Sequence, residues 1–239
     1  MVCRCRQSVK WAVSPRMKRY CAEIIGTFAL VFAGTGAIIA NAATGGTITQ
    51  VGIALTFGLI VLAMIYTFGD VSGAHLNPAV TFGFWAARRL PGRDVLPYVG
   101  SQATGAMLAS GLLRLLFPQD ALLGATLPTG PEWQSLILEI VLSFLLMLTI
   151  LNVSTGAKEK GITAGIAVGA VIALEAMFAG PICGASMNPA RSLAPALVSG
   201  HFEHLWIYLT APLVGACAAV LACRCVREEG CCMKPQTVL

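Results

Sequence analysis

Apolar residues fall along this chain in long blocks broken by short polar connections. Six blocks stand out, at about 20–40, 49–69, 95–117, 133–153, 161–180 and 204–223. No Asp, Glu, Lys or Arg lies between Glu23 and Asp70. One bilayer crossing takes roughly 20 apolar residues, so that gap holds two crossings and a turn. Two shorter apolar blocks, about 78–87 and 189–198, each follow an Asn-Pro pair and are too short to cross. The pattern predicts an all-α integral membrane protein of six transmembrane helices plus two half-helices.

Composition agrees with that pattern. Of 239 residues, 56% are hydrophobic and 11% charged, against about 25% charged in soluble domains. Disorder is excluded, and an ordinary soluble enzyme does not fit. The net charge of +5 invites a nucleic-acid reading, but its placement argues against one. Every Lys and Arg except Arg114 and Arg191 lies in the N-terminus, the connection after span two, the connection after span four, or the C-terminus. Basic residues collect on the cytoplasmic side of membrane proteins, so both termini are expected there. The membrane itself is expected to be a plasma or inner membrane. Arg114, near the outer end of the third span, reads as a snorkelling side chain.

Nine cysteines could suggest a disulfide framework. Six of them (Cys3, Cys5, Cys223, Cys225, Cys231 and Cys232) sit at the two chain ends, where cytoplasmic thiols stay reduced. They are read as plain thiols, with a soft-metal or lipid-bearing role as the alternatives. No cleavable leader is expected, because the apolar run starts near Tyr20 after a basic stretch and is too long.

The chain repeats itself. Glu23-Ile-Ile-Gly-Thr-Phe28 matches Glu139-Ile-Val-Leu-Ser-Phe144. Ser72-Gly-Ala-His-Leu-Asn-Pro-Ala-Val-Thr81 matches Cys183-Gly-Ala-Ser-Met-Asn-Pro-Ala-Arg-Ser192. Each half carries three crossings, an odd number, so the second half enters from the opposite side. Inverted repeats of this kind build their site near the midplane from broken helices.

Each Asn-Pro-Ala (Asn77-Pro78-Ala79 and Asn188-Pro189-Ala190) reads as a helix start. Asn is a strong N-cap and Pro suits the first helical position. The glycine ahead of each motif permits a tight turn. One half-helix enters from each side, so the two N-termini should meet at mid-membrane. Irregular backbone at that depth is tolerated only inside protein or along a water-filled cavity. Two positive helix ends facing one point repel cations. The Asn77 and Asn188 amides then offer donors to a passing neutral molecule.

On these residues the chain resembles the aquaporin, or major intrinsic protein, family. SGAHLNPAVT, GASMNPARS and the AEIIGTF and LEIVLSF spans carry the resemblance, over roughly residues 18–225. It implies a right-handed aquaporin-type bundle, one pore per subunit and a homotetramer. The implied layout is a channel domain at 20–225, with inverted repeats at about 20–117 and 133–223, and cytoplasmic tails at 1–19 and 226–239. The resemblance places Arg191 in an outer constriction, and matched spacings add Phe57, Ala176 and Ala185. A structural salt bridge is the alternative for Arg191. Water-selective members generally carry histidine where this chain has Ala176. Glycerol-selective members usually carry Asp after the arginine, where this chain has Ser192, and a basic residue near Ala196. FAGPICGASMNPARSLAPA and HLWIYLTAP are closer to the nodulin-type intrinsic proteins and their bacterial relatives. The implied activity is passive conduction of water and small neutral solutes (glycerol, urea or metalloid acids), with ions and protons excluded. A strictly water-selective pore is the alternative.

The resemblance puts His75 beside the cytoplasmic half-pore, although a lone histidine is more often a structural hydrogen-bonder. Glu23 and Glu139 are matched intramembrane carboxylates; the resemblance implies that each accepts hydrogen bonds from a half-helix loop, and a proton relay is the alternative. Glu175 has no such role; burial against a neighbour competes with a pore-facing or subunit-interface position. His201 and His204 read as outer loop residues. The connection from Gly156 to Gly161 reads as a solvated turn or a gate. An ion-coupled transporter would also use inverted repeats but needs pore-facing acids. An intramembrane enzyme needs a nucleophile–base or metal set that is absent around His75. No cofactor, metal or nucleic-acid partner is expected; the expected partners are water, neutral solutes and the lipid bilayer.

Overall fold

The computed structural model describes residues 14–154 and 158–226, the side chains of 158–162 excepted. Cys3, Cys5, Cys231 and Cys232, the terminal Arg4, Arg6, Lys10, Arg227 and Lys234, and part of the 156–161 connection lie outside them. All regular structure among the described residues is helical. The six long helices are α1 (Pro15–Ala43), α2 (Thr49–Ser72), α4 (Gly92–Leu116), α5 (Glu132–Val153), α6 (Lys158–Cys183) and α8 (Leu205–Val226). The two short ones are α3 (Pro78–Ala86) and α7 (Pro189–Ser199). The sequence pattern therefore finds every element, with differences at the edges.

The first of these differences is at α1. It begins at Pro15 rather than near 20, because Ser14 caps it by accepting from the Met17 N–H at 3.3 Å and Pro15 suits the first turn. The backbone from Lys158 is already helical, so the connection read at 156–161 is shorter than expected. Five of the long helices are long and apolar enough to cross a membrane. The exception, α4, is as long, but carries Arg93, Asp94, Ser101, Gln102, Ser110 and Arg114.

The halves interlock. In the first, α1 packs on α2 and α4; in the second, α5 packs on α6 and α8. Gly105 and Gly215 hold matching places: a Cβ on either would collide with a backbone carbonyl, of Ile24 and Ile140 respectively. Each half-helix also packs on the last long helix of the other half, α3 on α8 and α7 on α4. The seam between halves is the α2–α6 crossing. There Gly58 and Gly169 face each other so closely that a Cβ on Gly169 would sit 2.6 Å from the Gly58 carbonyl oxygen. No side chain larger than hydrogen fits at that crossing.

Candidate functional site: a polar break between two half-helices

The two loops that carry the motifs share one backbone path. Gly73 and Gly184 end α2 and α6 in the left-handed region, at φ 86° and 81°. Ala74 and Ala185 follow at 45° and 40°, and Leu76 and Met187 at 53° and 52°. Such angles cost a residue with a Cβ on the order of 1–3 kcal/mol each and persist only where the surroundings fix them. Two buried carboxylates supply that fixation. Glu139 accepts from the backbone N–H groups of Ser186 and Met187 at 2.7 and 2.8 Å. Glu23 accepts from the N–H groups of His75 and Leu76 at 2.9 and 2.8 Å. Ser72 Oγ and Gln102 Nε2 also donate to Glu23, at 2.6 and 2.8 Å. Both carboxylates thus organise loops, and their oxygens are occupied by donors rather than set in a relay.

Beyond the loops, Asn77 and Asn188 act as N-caps. Asn77 Oδ1 accepts from the Ala79 N–H at 2.8 Å, and Asn188 Oδ1 accepts from those of Ala190 and Arg191 at 3.0 and 3.3 Å. Pro78 and Pro189 occupy the first turns of α3 and α7. The amide nitrogens differ from expectation in one respect. Asn77 Nδ2 donates to the Met187 carbonyl at 2.7 Å, and Asn188 Nδ2 donates to the Leu76 carbonyl at 2.9 Å. Each asparagine therefore spends one N–H on tying the opposite loop, so only the second of its two N–H groups remains for a passing molecule.

A cavity of about 110 Å³ runs past this junction, several times the roughly 10–15 Å³ that one water requires. Its apolar wall is built from helix stripes at four-residue spacing: Phe57, Val61 and Ile65 on α2, and Ala164, Val168 and Ile172 on α6. Its polar side comes from the two loops, with Asn77, Asn188 and His75. His75 is held by Thr81 (Nδ1 to Oγ1, 3.1 Å) and by the rings of Phe84 and Tyr98, centroids at 4.6 and 4.9 Å. It is both a fixed structural group and a wall residue.

Arg191 belongs to the same lining. It is fully buried in the first turn of α7, with its guanidinium carbon 5.1 Å from the centre of the Phe57 ring. Nη1 donates to the Gly124 carbonyl at 2.8 Å, while Nε has no partner. No ion pair among the described residues engages it, so the salt-bridge reading falls away. Phe57, Ala185 and Arg191 line the cavity together; Ala176 does not. Ala176 is the next position of the α6 stripe after Ile172, is itself buried, and has a carbonyl that accepts from Gln50 Nε2 at 2.8 Å.

The remaining sequence candidates sit as follows. Glu175 is fully buried and lines no part of the cavity, and neither carboxyl oxygen has a partner. A place on the outer surface is therefore excluded. Arg114 does not snorkel freely; its Nη1 donates to the carbonyls of Asp120 and Pro118 at 2.6 and 3.3 Å. Cys183 is the last residue of α6 and buried, with Sγ 3.5 Å from the Ala179 carbonyl. Cys223 is buried and Cys225 exposed. His204 meets Glu132 at 2.6 Å, and His201 meets Ser199. Sequence reasoning missed the Gly124 carbonyl that fixes Arg191, and it missed Gln102 and Tyr98. The latter donates to the Ser72 carbonyl at 2.8 Å.

Six long helices, two opposed half-helices and a cavity whose apolar walls are interrupted by Asn77, Asn188, His75 and Arg191 define a membrane pore. The model of the major intrinsic protein family matches residues 10–223, and the chain belongs to that family. It is 49% identical to aquaporin NIP1-1 of Zea mays over 89% of this chain and 76% of that one. It is 51% identical to the probable aquaporin NIP4-2 of Arabidopsis thaliana, over 81% and 69%, and 44% identical to nodulin-26 of Glycine max, over 89% and 79%. The fold matches the X-ray structure of the aquaglyceroporin from Plasmodium falciparum with a TM-score of 0.80 at 23% identity, covering 88% and 97%. The chain is accordingly a nodulin-type membrane channel rather than an enzyme.

Proposed function

We propose that this channel passes water together with small uncharged solutes bearing hydroxyl or amide groups, such as glycerol, urea or boric and arsenous acids. The observation that carries the reading is the environment of Arg191. Its Nη1 is anchored to the Gly124 carbonyl, its Nε is buried without a partner, and the residue lines the cavity. Phe57, whose ring centre lies 5.1 Å from the guanidinium carbon, and Ala185 line the same cavity. A guanidinium fixed beside an apolar wall suits a solute with one polar and one carbon-rich side. The α3 and α7 termini and the guanidinium all present positive charge to the same cavity, which disfavours cations. A molecule at the waist meets the remaining amide N–H of Asn77 and of Asn188.

In this reading Ala176 completes the filter with Phe57, Ala185 and Arg191, residues 20–225 form the channel domain, both tails are cytoplasmic, and four copies assemble. A second reading, a strictly water-selective pore, is favoured by the Phe57 ring stacked on Arg191. Stopped-flow light scattering on proteoliposomes given an inward glycerol gradient separates the two. Fast shrinkage followed by fast reswelling supports the wide filter. Fast shrinkage with reswelling no quicker than empty liposomes supports the water-selective one. Ala176→His should suppress glycerol flux and spare water; unchanged glycerol flux would remove Ala176 from the filter.

A further inference from the structure

The two ends of the bundle differ in charge. Among the described residues, the end where α1 and α4 begin and α3 and α8 finish carries Arg16, Lys18, Arg19, Arg88, Arg89, Arg93 and Arg224, against Asp70 and Asp94. The other end carries Asp120, Glu132 and Glu203 against Arg114, whose Nη1 is taken by carbonyls.

On the basic end, part of the charge is already used. Asp94 lies 3.9 Å from Arg19, and Arg89 donates to the Leu151 carbonyl and Ser154 Oγ at 3.3 and 3.1 Å. Three other arginines belong to the turn and helix end next to one exposed indole. Trp85 is 43% exposed near the end of α3. Arg88 follows it in the turn, its N–H donating to the Trp85 carbonyl at 2.8 Å. Gly92, next to Arg93, packs against Trp85: a Cβ there would lie 3.2 Å from Nε1. Arg224 reaches across from α8 to the Ala86 carbonyl at 3.3 Å. Arg88, Arg93 and Arg224 are all exposed, and no ion pair among the described residues engages any of them.

We propose that this face is a docking surface for the headgroup of an anionic phospholipid, with Arg88, Arg93 and Arg224 facing the phosphate and Trp85 seated at the boundary between headgroup and acyl chain. Charge complementarity selects the occupant. Indole rings favour the membrane interface, and guanidinium groups match phosphate geometry. The position at a bilayer edge favours a lipid phosphate over a free one, because the lipid's acyl chains occupy the apolar flank that Trp85 and Phe82 present, rings 5.0 Å apart. The inference rests on the chain crossing a bilayer, not on which solutes it conducts.

Each cation near an anionic surface contributes about a fivefold preference, so the three together should favour an anionic over a zwitterionic lipid by on the order of a hundredfold. The test uses the full chain in neutral detergent, melted while titrated separately with phosphatidylglycerol, phosphatidylcholine and inorganic phosphate. A ligand that binds the folded state raises the melting temperature by mass action. Phosphatidylglycerol should stabilise at far lower concentration than phosphatidylcholine, and phosphate should have no effect. Arg88→Gln, Arg93→Gln and Arg224→Gln should each raise the half-effective concentration about fivefold, and Arg→Lys at the same positions should raise it less, because the charge is kept while the guanidinium geometry is lost. Equal responses to the two lipids would overturn the proposal, as would a phosphatidylglycerol response left intact by all three glutamine variants. Stabilisation by phosphate alone would overturn the lipid assignment in favour of a free-anion site.

Discussion

The α2–α6 seam ties packing to permeation, and Gly58→Ala probes both at once. The added methyl would lie 2.6 Å from Ala173 Cβ and 2.5 Å from the Gly169 carbonyl oxygen. Ordinary carbon contacts fall at about 3.5–4.0 Å, so the helices must separate by about 1 Å. The obstacle includes backbone, which cannot rotate away as a flexible side chain would. Overpacking of this kind costs roughly 1–3 kcal/mol. Replacing a helical glycine by alanine returns about 1 kcal/mol through backbone propensity. The net loss should be about 0–2 kcal/mol. Gly100→Ala is the matched control: it lies in α4, and a Cβ there meets nothing within 4 Å. That variant should gain the propensity term alone, about 1 kcal/mol.

The same displacement reaches the pore. Phe57 and Val61 flank Gly58 on α2, Val168 and Ile172 flank Gly169 on α6, and all four line the cavity. Spreading the seam should widen the cavity and raise the ratio of glycerol to water flux in Gly58→Ala, but not in Gly100→Ala. Thermal melts and stopped-flow permeability on both variants read the two effects. If Gly58→Ala gained as much stability as Gly100→Ala with an unchanged flux ratio, the seam would not be the constraint described here.

Two other substitutions test the polar accounting. Tyr98 and Tyr208 are both fully buried, but the Tyr98 hydroxyl donates to the Ser72 carbonyl whereas the Tyr208 hydroxyl has no partner. Tyr98→Phe should lose about 1 kcal/mol and Tyr208→Phe nothing or less; melting curves showing the reverse order would refute the asymmetry. Glu175 buries a carboxyl with both oxygens unpartnered. Glu175→Met should therefore stabilise the fold by about 1–3 kcal/mol, the cost of a stranded polar group; a lower melting temperature would mean that the carboxyl contributes an interaction of its own.

What could be read from the chain divides along a physical line. Spans, half-helices and caps follow from local rules: apolar block length, Asn-Pro at a helix start, and repetition of one segment in the other; the loop-binding role of the two matched carboxylates comes from the family resemblance. These signals survive in sequence because each depends on residues close together or on a matched copy. The anchor of Arg191 does not. Gly124 lies in an irregular connection between the repeats, without periodicity or counterpart, and its contribution is a backbone carbonyl that any residue type would supply. The Asn77–Met187 and Asn188–Leu76 bonds are hidden for the same reason: the acceptors are main-chain atoms brought near by the interlocking of the halves. Side-chain identity could announce the donors but not where they point. The repeat also conceals a difference. Ser72 and Gln102 both donate to Glu23, while the matched Cys183 thiol lies against both Glu139 and the Ala179 carbonyl of its own helix. Glu23 thus holds its loop with side-chain donors in addition to the two backbone N–H groups that both carboxylates receive. The second loop, which carries Ala185 and leads to Arg191, is held instead by Ser186 Oγ, which accepts from the Asn188 N–H at 3.4 Å and meets Ser192 Oγ, itself bonded to Thr126.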